Sequence, residues 1–369
     1  FTFTAVGTVA TVATPTGTLT VNASGAWSFD PNDSFDHDAD EDAGGFSYIL
    51  IDADGSLSGS ATQPIEVTDT GPNAGSAAVT ADEAQIVNIG SAGNLTQLQQ
   101  TDLLGIVKSE DNIQDVIFNT ATVTSLEAAS ITSDDTPLVF TLSMSGHFLT
   151  ATAGAGGDTI FTLELLNPAD ATGATQAIRL TLLGPVDHGV VGDVVLSATY
   201  EVQDIDSSST GTATITIEDD TTLAPVADTA ITLTEGDAAN GSAGAGDNLL
   251  TNDTLGADGG RVYDVGYTNR AGAAATILIP DGGSEAVQTA HGTLTVFSTG
   301  VWSFEPLDSA DHPTPAEDSA GGAAVSNTEV SDDFSYRLID GDGDISTSAT
   351  QQVTVLDTVP TIGEPTDVI

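Results

Sequence analysis

The chain has 369 residues, 54 acidic side chains against 5 basic ones, a formal net charge of −49 and no cysteine. A surface of that sign repels nucleic acid and anionic lipid, because neither is held without a basic footprint. The hydrophobic fraction of 39% supports packed cores, while no apolar run approaches the roughly 18 residues of a membrane span.

The length exceeds what one core of this kind needs, so about two to four domains are expected. Asp outnumbers Glu, 40 to 14, and the Asp cluster in turns. Turns favour Asp for its own sake, yet the self-repulsion of so many carboxylates also argues for a cation partner. Both readings stay open at this point. The chain opens on Phe1 with no charged leader and no signal-type apolar run, and is expected to be a segment of a longer polypeptide.

In chain order, alternating strands are predicted at Phe1 to Thr4 and near Val9 to Val12. A hairpin follows, from Gly17-Thr18-Leu19-Thr20-Val21 into Trp27-Ser28-Phe29. After an acidic loop (Asp30 to Asp42) comes Phe46-Ser47-Tyr48-Ile49-Leu50-Ile51-Asp52-Ala53-Asp54-Gly55, closing through Ile65 and Val67 onto Asp69. This reads as a β-hairpin with carboxylates at its tip and its end.

The whole array recurs as Gly292 to Val296, Trp302-Ser303-Phe304, an acidic loop, and Phe334-Ser335-Tyr336-Arg337-Leu338-Ile339-Asp340-Gly341-Asp342-Gly343-Asp344 closing onto Asp357. The Trp residues (27 and 302) lie 275 apart and the hairpin Phe residues (46 and 334) 288 apart, which places 13 extra residues in the second copy's loop. A looser third signature runs Thr199-Tyr200-Glu201-Val202-Gln203-Asp204-Ile205-Asp206 and closes through Ile215 and Ile217 onto Asp219.

Between the two copies, strands are predicted at 138–142, 159–165, 177–182, 194–202 and 212–217, all apolar or β-branched at period two. A short helix is predicted near Leu95 to Val107, where leucines recur at helical spacing. The later copy opens at Ala224 to Asp228, continues through Ile231 to Glu235, and reaches Asn248 to Asp253 past a Gly/Ala/Asn-rich loop. The first copy lacks this opening. The expected division is 1–70, the C-terminal part of one domain; 71–221, a longer domain; 222–358, a complete copy; and 359–369, the start of the next repeat.

Short strands with turn signals every ten or so residues predict an all-β fold, tandem β-sandwiches of the immunoglobulin-like or cadherin-like kind in a linear array. The aromatics Trp27, Phe29, Trp302 and Phe304 are assigned to the core.

The pattern Gly-Thr-Leu-Thr-Val, Trp-Ser-Phe-x-Pro, Phe-Ser-Tyr-x-Leu-Ile-Asp-x-Asp-Gly resembles the VCBS or cadherin-like repeats of giant bacterial surface proteins. Residues 71–221 are similar to the longer repeats of type I secreted adhesins of the RTX class. The resemblance implies a calcium-rigidified stalk, exported to the extracellular space or cell surface by type I secretion, that holds adhesive domains away from the cell.

The residues do not follow a known calcium loop. Asp340 to Asp344 begins like an EF-hand, but Ile345 stands where the turn glycine belongs and Gln351 where the bidentate Glu belongs. The Gly-rich run Ala153 to Asp158 occurs once and reads as a turn. Position is more informative. Asp69, Asp219 with Asp220, and Asp357 end the last strand of each domain. Asp82 with Glu83, and Asp228 and Glu235, follow soon after a domain begins. Asp52 with Asp54, Asp204 with Asp206, and Asp340, Asp342 and Asp344 sit at hairpin tips. Carboxylates converging on a junction can share Ca2+ through oxygen and fix the angle between domains.

Five scattered histidines, no nucleophile elbow and no phosphate loop argue against an enzyme. A glycan-, peptide- or matrix-binding module would use loop aromatics, and the acidic loop 308–333 and the loop after Glu235 lack them. An extracellular fibre, in which identical chains join end to end by strand exchange, is the remaining alternative.

Overall fold

The computed structural model describes residues 2–3, 7–32, 44–92, 98–109, 111–188, 192–221, 223–235, 239–240, 248–308, 310–312 and 329–358. The first acidic loop (33–42), both ends of the strand expected at 1–4, the Gly/Ala/Asn-rich loop at 241–247, the core of the second acidic loop (313–328) and the segment 359–369 lie outside them.

Three groups of sheets follow one another along the chain. The first unit has a three-stranded antiparallel sheet of β1 (Val9–Thr14), β2 (Gly17–Asn22) and β3 (Trp27–Pro31), and a hairpin of β4 (Gly44–Tyr48) and β5 (Ala61–Ile65). The second unit begins with β6 (Ser76–Asp82), β7 (Gln99–Leu103), β8 (Asp115–Ile117) and the helix α1 (Thr120–Glu127). It continues with β9 (Thr132–Ser133), β10 (Thr136–Leu142), β11 (Phe148–Ala153), β12 (Thr159–Leu166), β13 (Ala177–Leu182), β14 (Val194–Gln203) and β15 (Ser208–Glu218).

The third unit comprises β16 (Ile231–Thr234), β17 (Ala239–Asn240), β18 (Arg261–Thr268), β19 (Ala274–Leu278), β20 (Ser284–Gln288) and β21 (Gly292–Phe297). It closes with β22 (Trp302–Pro306), β23 (Glu329–Ser331), β24 (Phe334–Ile339), β25 (Ala349–Gln351) and β26 (Val353–Leu356).

The second unit is a sandwich. A sheet of order β7-β13-β12-β11-β10-β9 faces one of order β6-β15-β14-β8, and Phe140, Phe161, Leu163 and Leu180 of the first pack with Val79, Leu196, Tyr200 and Ile215 of the second in one core. In the third unit Trp302, Phe304, Tyr336, Leu338, Val353 and Val355 come from three sheets into a single core. The chain is therefore all-β, built of tandem β-sandwiches. No helix among the described residues is long and apolar enough to cross a membrane.

The core explains the glycine that starts the Gly-Thr-Leu-Thr-Val motif. A Cβ on Gly292 would sit 2.4 Å from the ring of Phe304 across the strand pair, and one on Gly17 would sit 2.6 Å from the ring of Phe29.

Three expectations need correction. The helix expected near Leu95 to Val107 is not formed over its described part: Gln99 to Leu103 add a strand to β13, in register with Ala177 to Thr181. Backbone pairing at that sheet edge outweighs the leucine spacing, and Gly105, at φ 65°, turns the chain away. The helix that does form, α1, has a β-branched sequence of low propensity. It is held by its cap, where Asn119 Oδ1 accepts from Ala121 N at 2.9 Å and Thr122 Oγ1 accepts from Asn119 N at 3.0 Å, and by full burial of Thr122 and Leu126.

Second, the strand that closes onto Asp357 is not the hairpin partner of β24. β25 fills that role, and beyond Gln352 the chain crosses to the other sheet as β26. Third, the aromatic pair is core only in the later copy. Trp302 and Tyr336 are 1% exposed, whereas Trp27 is 43% and Tyr48 46% exposed. The edge-to-face packing itself repeats, at 5.1 Å for Trp302 on Phe334 and 5.5 Å for Trp27 on Phe46. In the third unit these aromatics share a core with Val262 and Val265 of β18, and Ile231 and Leu233 of β16 pack against it.

Candidate metal centre

The parallel pairing of β6 with β15 sets the site. Asp82 lies opposite Glu218 at the end of that ladder, so the next residues, Glu83 and Asp219, leave the sheet side by side at the edge that meets the third unit. The loop after β13 adds His188. From the third unit, the tip of the β24 hairpin supplies Asp342, and a turn before β18 supplies Asp258, anchored by Ala257, which packs into the second unit's core.

Candidate ligand atoms of Glu83, His188 and Asp219 lie within 4.8 Å of one another, and so do those of Asp219, Asp258 and Asp342. Asp219 belongs to both groups. The two units also touch directly, His188 N donating to Asp342 Oδ1 at 2.9 Å.

The electrostatics are those of gathered negative charge. Burial, followed by the charges of Glu83 and Asp342, pushes Asp258 up to about 8. Burial likewise lifts Asp342 to about 7 and raises Glu83 and Asp219. For His188, burial favours the neutral ring, but Glu83 and then the Gly192 carbonyl outweigh it and lift the ring to about 9. A cation bound among these groups would reverse the carboxylate shifts, since it favours the ionised form.

The residues present fit a hard divalent cation. Glu83 is 0% exposed, its Oε1 accepts from Val186 N at 2.7 Å, and its buried Oε2 has no hydrogen-bond partner. Asp342 Oδ2 is likewise buried and unpaired. Unpaired anionic oxygens in a dry site are strongly unfavourable unless something positive meets them. Asp219, Asp258 and Asp342 form an all-oxygen set of the kind Ca2+ takes. A cleft of about 810 Å3 opens beside them and gives access from solvent.

Parts of this arrangement recur. Asp69, at the end of the first unit, is grouped with Asp111 and with Asp206 at the tip of the β14–β15 hairpin, which repeats the relation of Asp219 to Asp258 and Asp342. At the far end of the third unit, β16 pairs in parallel with β26, Thr234 opposite Leu356. Glu235 and Asp357 therefore emerge side by side as Glu83 and Asp219 do, and His312 joins them.

The other carboxylates singled out in the sequence have different surroundings. Asp82 caps a short 3-10 turn, accepting from Ala84 N at 2.9 Å. Asp220 accepts from Ser91 N and Oγ at 2.8 and 2.6 Å. Asp228 accepts from the Tyr336 hydroxyl at 3.1 Å. Asp52, Asp204 and Asp340 each fold their own hairpin tip, accepting from backbone N–H groups two to four residues on. Asp54 and Asp344 are exposed.

Asp111, Asp258, His188 and His312 were not among the residues expected. A signal for the histidines is present: the dipeptide Asp-His occurs at 36–37, 187–188 and 311–312, once per unit. His37 lies outside the described residues.

The sequence matches no family model and no curated protein. Among solved structures it is similar to mouse protocadherin-24 EC1-3, with a TM-score of 0.29 and 14% identity over 97% of this chain and 92% of that one. It is also similar to mouse clustered PcdhgC3 EC1-3, with a TM-score of 0.27 and 16% identity over 92% and 86%. A third is an endo-fucoidan hydrolase of glycoside hydrolase family 107, with a TM-score of 0.22 and 13% identity over 96% of this chain; the chain spans 39% of that enzyme's length. The sandwich architecture rests on the sheets described above rather than on these likenesses.

Proposed function

We propose that this chain is a non-catalytic extender segment of a large secreted or surface-attached bacterial adhesin, exported by type I secretion and stiffened by Ca2+ at the junctions between its domains. The observation that carries the reading is the convergence of Asp219 from one unit with Asp258 and Asp342 from the next. A cation held there ties two sandwiches together at the point where a linker would otherwise bend. Asp69, Asp111 and Asp206 would do the same at the preceding junction, within the domain boundaries 1–70, 71–221 and 222–358.

With a dissociation constant of about 0.1 mM and calcium of about 10 mM, each site contributes about 2.7 kcal/mol by mass action. That is substantial against a typical domain stability of roughly 5 to 15 kcal/mol.

Thermal unfolding in chelator, in millimolar calcium and in magnesium at equal ionic strength tests the reading. A calcium-selective rise in midpoint is expected; equal and small effects of the two ions would reduce the carboxylates to solubility chemistry.

A second reading is favoured by the exposed face of Trp27, Tyr48 and Leu50. The equivalent Trp302 and Tyr336 of the third unit are buried in a closed core, and strand exchange between identical chains in a fibre would cover this face.

A further inference from the structure

His188 enters the junction in an orientation the calcium reading does not use. Its Nδ1 lies 3.1 Å from the carbonyl oxygen of Gly192. A carbonyl only accepts, so Nδ1 carries the proton of that bond and the neutral ring keeps its lone pair on Nε2. Nε2 is the atom that faces the carboxylates, 3.3 Å from Glu83 Oε1, with both side chains 0% exposed. It makes no hydrogen bond there. A ring fixed through its far nitrogen, with the near one turned to the carboxylates, is how metal-binding imidazoles are held.

The same three residue types meet again at the end of the third unit. His312 Nε2 is 3.3 Å from Glu235 Oε1, with side chains 6% and 7% exposed. Neither ring nitrogen of His312 has a hydrogen-bond partner, nor does Glu235 Oε1. In both places the parallel strand pair delivers the Glu and the Asp, and an Asp-His dipeptide outside any strand delivers the His.

We propose that Glu83, His188 and Asp219 form a metal position distinct from the all-oxygen position at Asp219, Asp258 and Asp342, that it takes a nitrogen-accepting divalent ion of the Zn2+ class, and that Glu235, His312 and Asp357 form its counterpart. One imidazole nitrogen with two carboxylates is a donor set that borderline ions favour, whereas Ca2+ seeks six to eight oxygens. The assignment goes beyond the calcium reading, because an ion at His188 requires neither Asp258 nor Asp342.

The test is titration of the full chain with Co2+, a spectroscopic stand-in for Zn2+, in excess calcium. The expected result is visible absorption that saturates at one ion per His-containing group, with His188→Gln removing one equivalent and His312→Gln the other. Asp258→Asn should leave both equivalents while lowering calcium affinity. Complete displacement of Co2+ by calcium, or a full complement in both histidine variants, would overturn the proposal.

Because His188 is buried and its variant could misfold, 15N spectra of the histidine rings in the unaltered chain give a second reading. Added Zn2+ should shift Nε2 of His188 with Nδ1 still protonated, and an unmoved Nε2 contradicts the site. If Zn2+ binds while calcium fails to raise the melting midpoint, the calcium reading falls and this one stands.

Discussion

Glu83 and Asp219 are neighbours because the strands that carry them run in the same direction. β6 and β15 are the only strands of the second unit's described residues that pair in parallel, and both end at the same edge of the sheet. An antiparallel pair would place the two carboxylates at opposite ends of the sandwich. The first and last strands of the unit thus deliver their terminal acids together, at the end where the chain passes to the next unit. Glu235 and Asp357 repeat the relation through β16 and β26.

Asp219 is common to both groups of candidate ligands, so its loss should matter more than that of any other carboxylate here. Asp219→Asn is expected to remove one site's share of the calcium-dependent rise in midpoint, a loss of about 2.7 kcal/mol at a hundredfold excess of ion over the dissociation constant. Asp344→Asn, at an exposed tip position, should leave the rise intact. Calorimetry with and without calcium compares the two.

The metal-free chain should lose stability as pH rises. Asp258 is raised from 3.8 to about 8 and His188 from 6.5 to about 9, so the folded chain holds protons that the unfolded chain has released. The stability from Asp258 is complete below its unfolded value and lost as pH climbs through its folded one, and His188 adds the same trend at higher pH. Calcium reverses the sign, because its ligands must be deprotonated. Midpoints measured between pH 5 and 9 should fall in chelator and rise or level off in calcium; parallel curves would contradict the cluster's electrostatics.

One motif in two settings separates burial from sequence. Trp302 is 1% exposed in a closed core and Trp27 43% exposed. Trp302→Ala should cost about 3 to 5 kcal/mol, and Trp27→Ala about 1 kcal/mol or less in this chain. Calorimetric unfolding of each variant beside the unaltered chain reads the two costs.

Tyr336 makes a related comparison. Its hydroxyl lies 3.1 Å from Val226 O, Leu249 O and Asp228 Oδ2, tying the opening segment of the third unit to its core. Tyr200 does the same for the second unit through Gly75 O at 2.7 Å. Tyr336→Phe removes the one proton that these acceptors share and should cost roughly 1 to 3 kcal/mol, whereas Tyr48→Phe, at a residue 46% exposed, should be near neutral. Chemical denaturation of the two variants decides it.

Much of this was legible from the sequence. Period-two patterning located β10, β12, β13, β14 and β15, and the repeated signature located the hairpin tips and the strand-end acids Asp219 and Asp357, whereas Asp69 lies past the end of β5 at Ile65. What sequence could not supply was direction. Nothing in Ser76 to Asp82 says that it pairs in parallel with a strand more than a hundred residues on, and that pairing is what brings Glu83 to Asp219. Asp111 and Asp258 were hidden among many turn aspartates for the same reason. His188 and His312 were visible only as a dipeptide whose purpose depends on the fold. The helix α1 escaped because its cap and its burial, rather than its propensity, hold it together.

The central claim is that a cation at Asp219, Asp258 and Asp342 fixes the second unit against the third. Since the chain has no cysteine, spin labels on Thr214→Cys in β15 and Thr276→Cys in β19 report that geometry alone. The distance distribution between them should be narrow in calcium, broad in chelator, and broad in both when Asp219→Asn is added. An equally narrow distribution with and without calcium would contradict the claim.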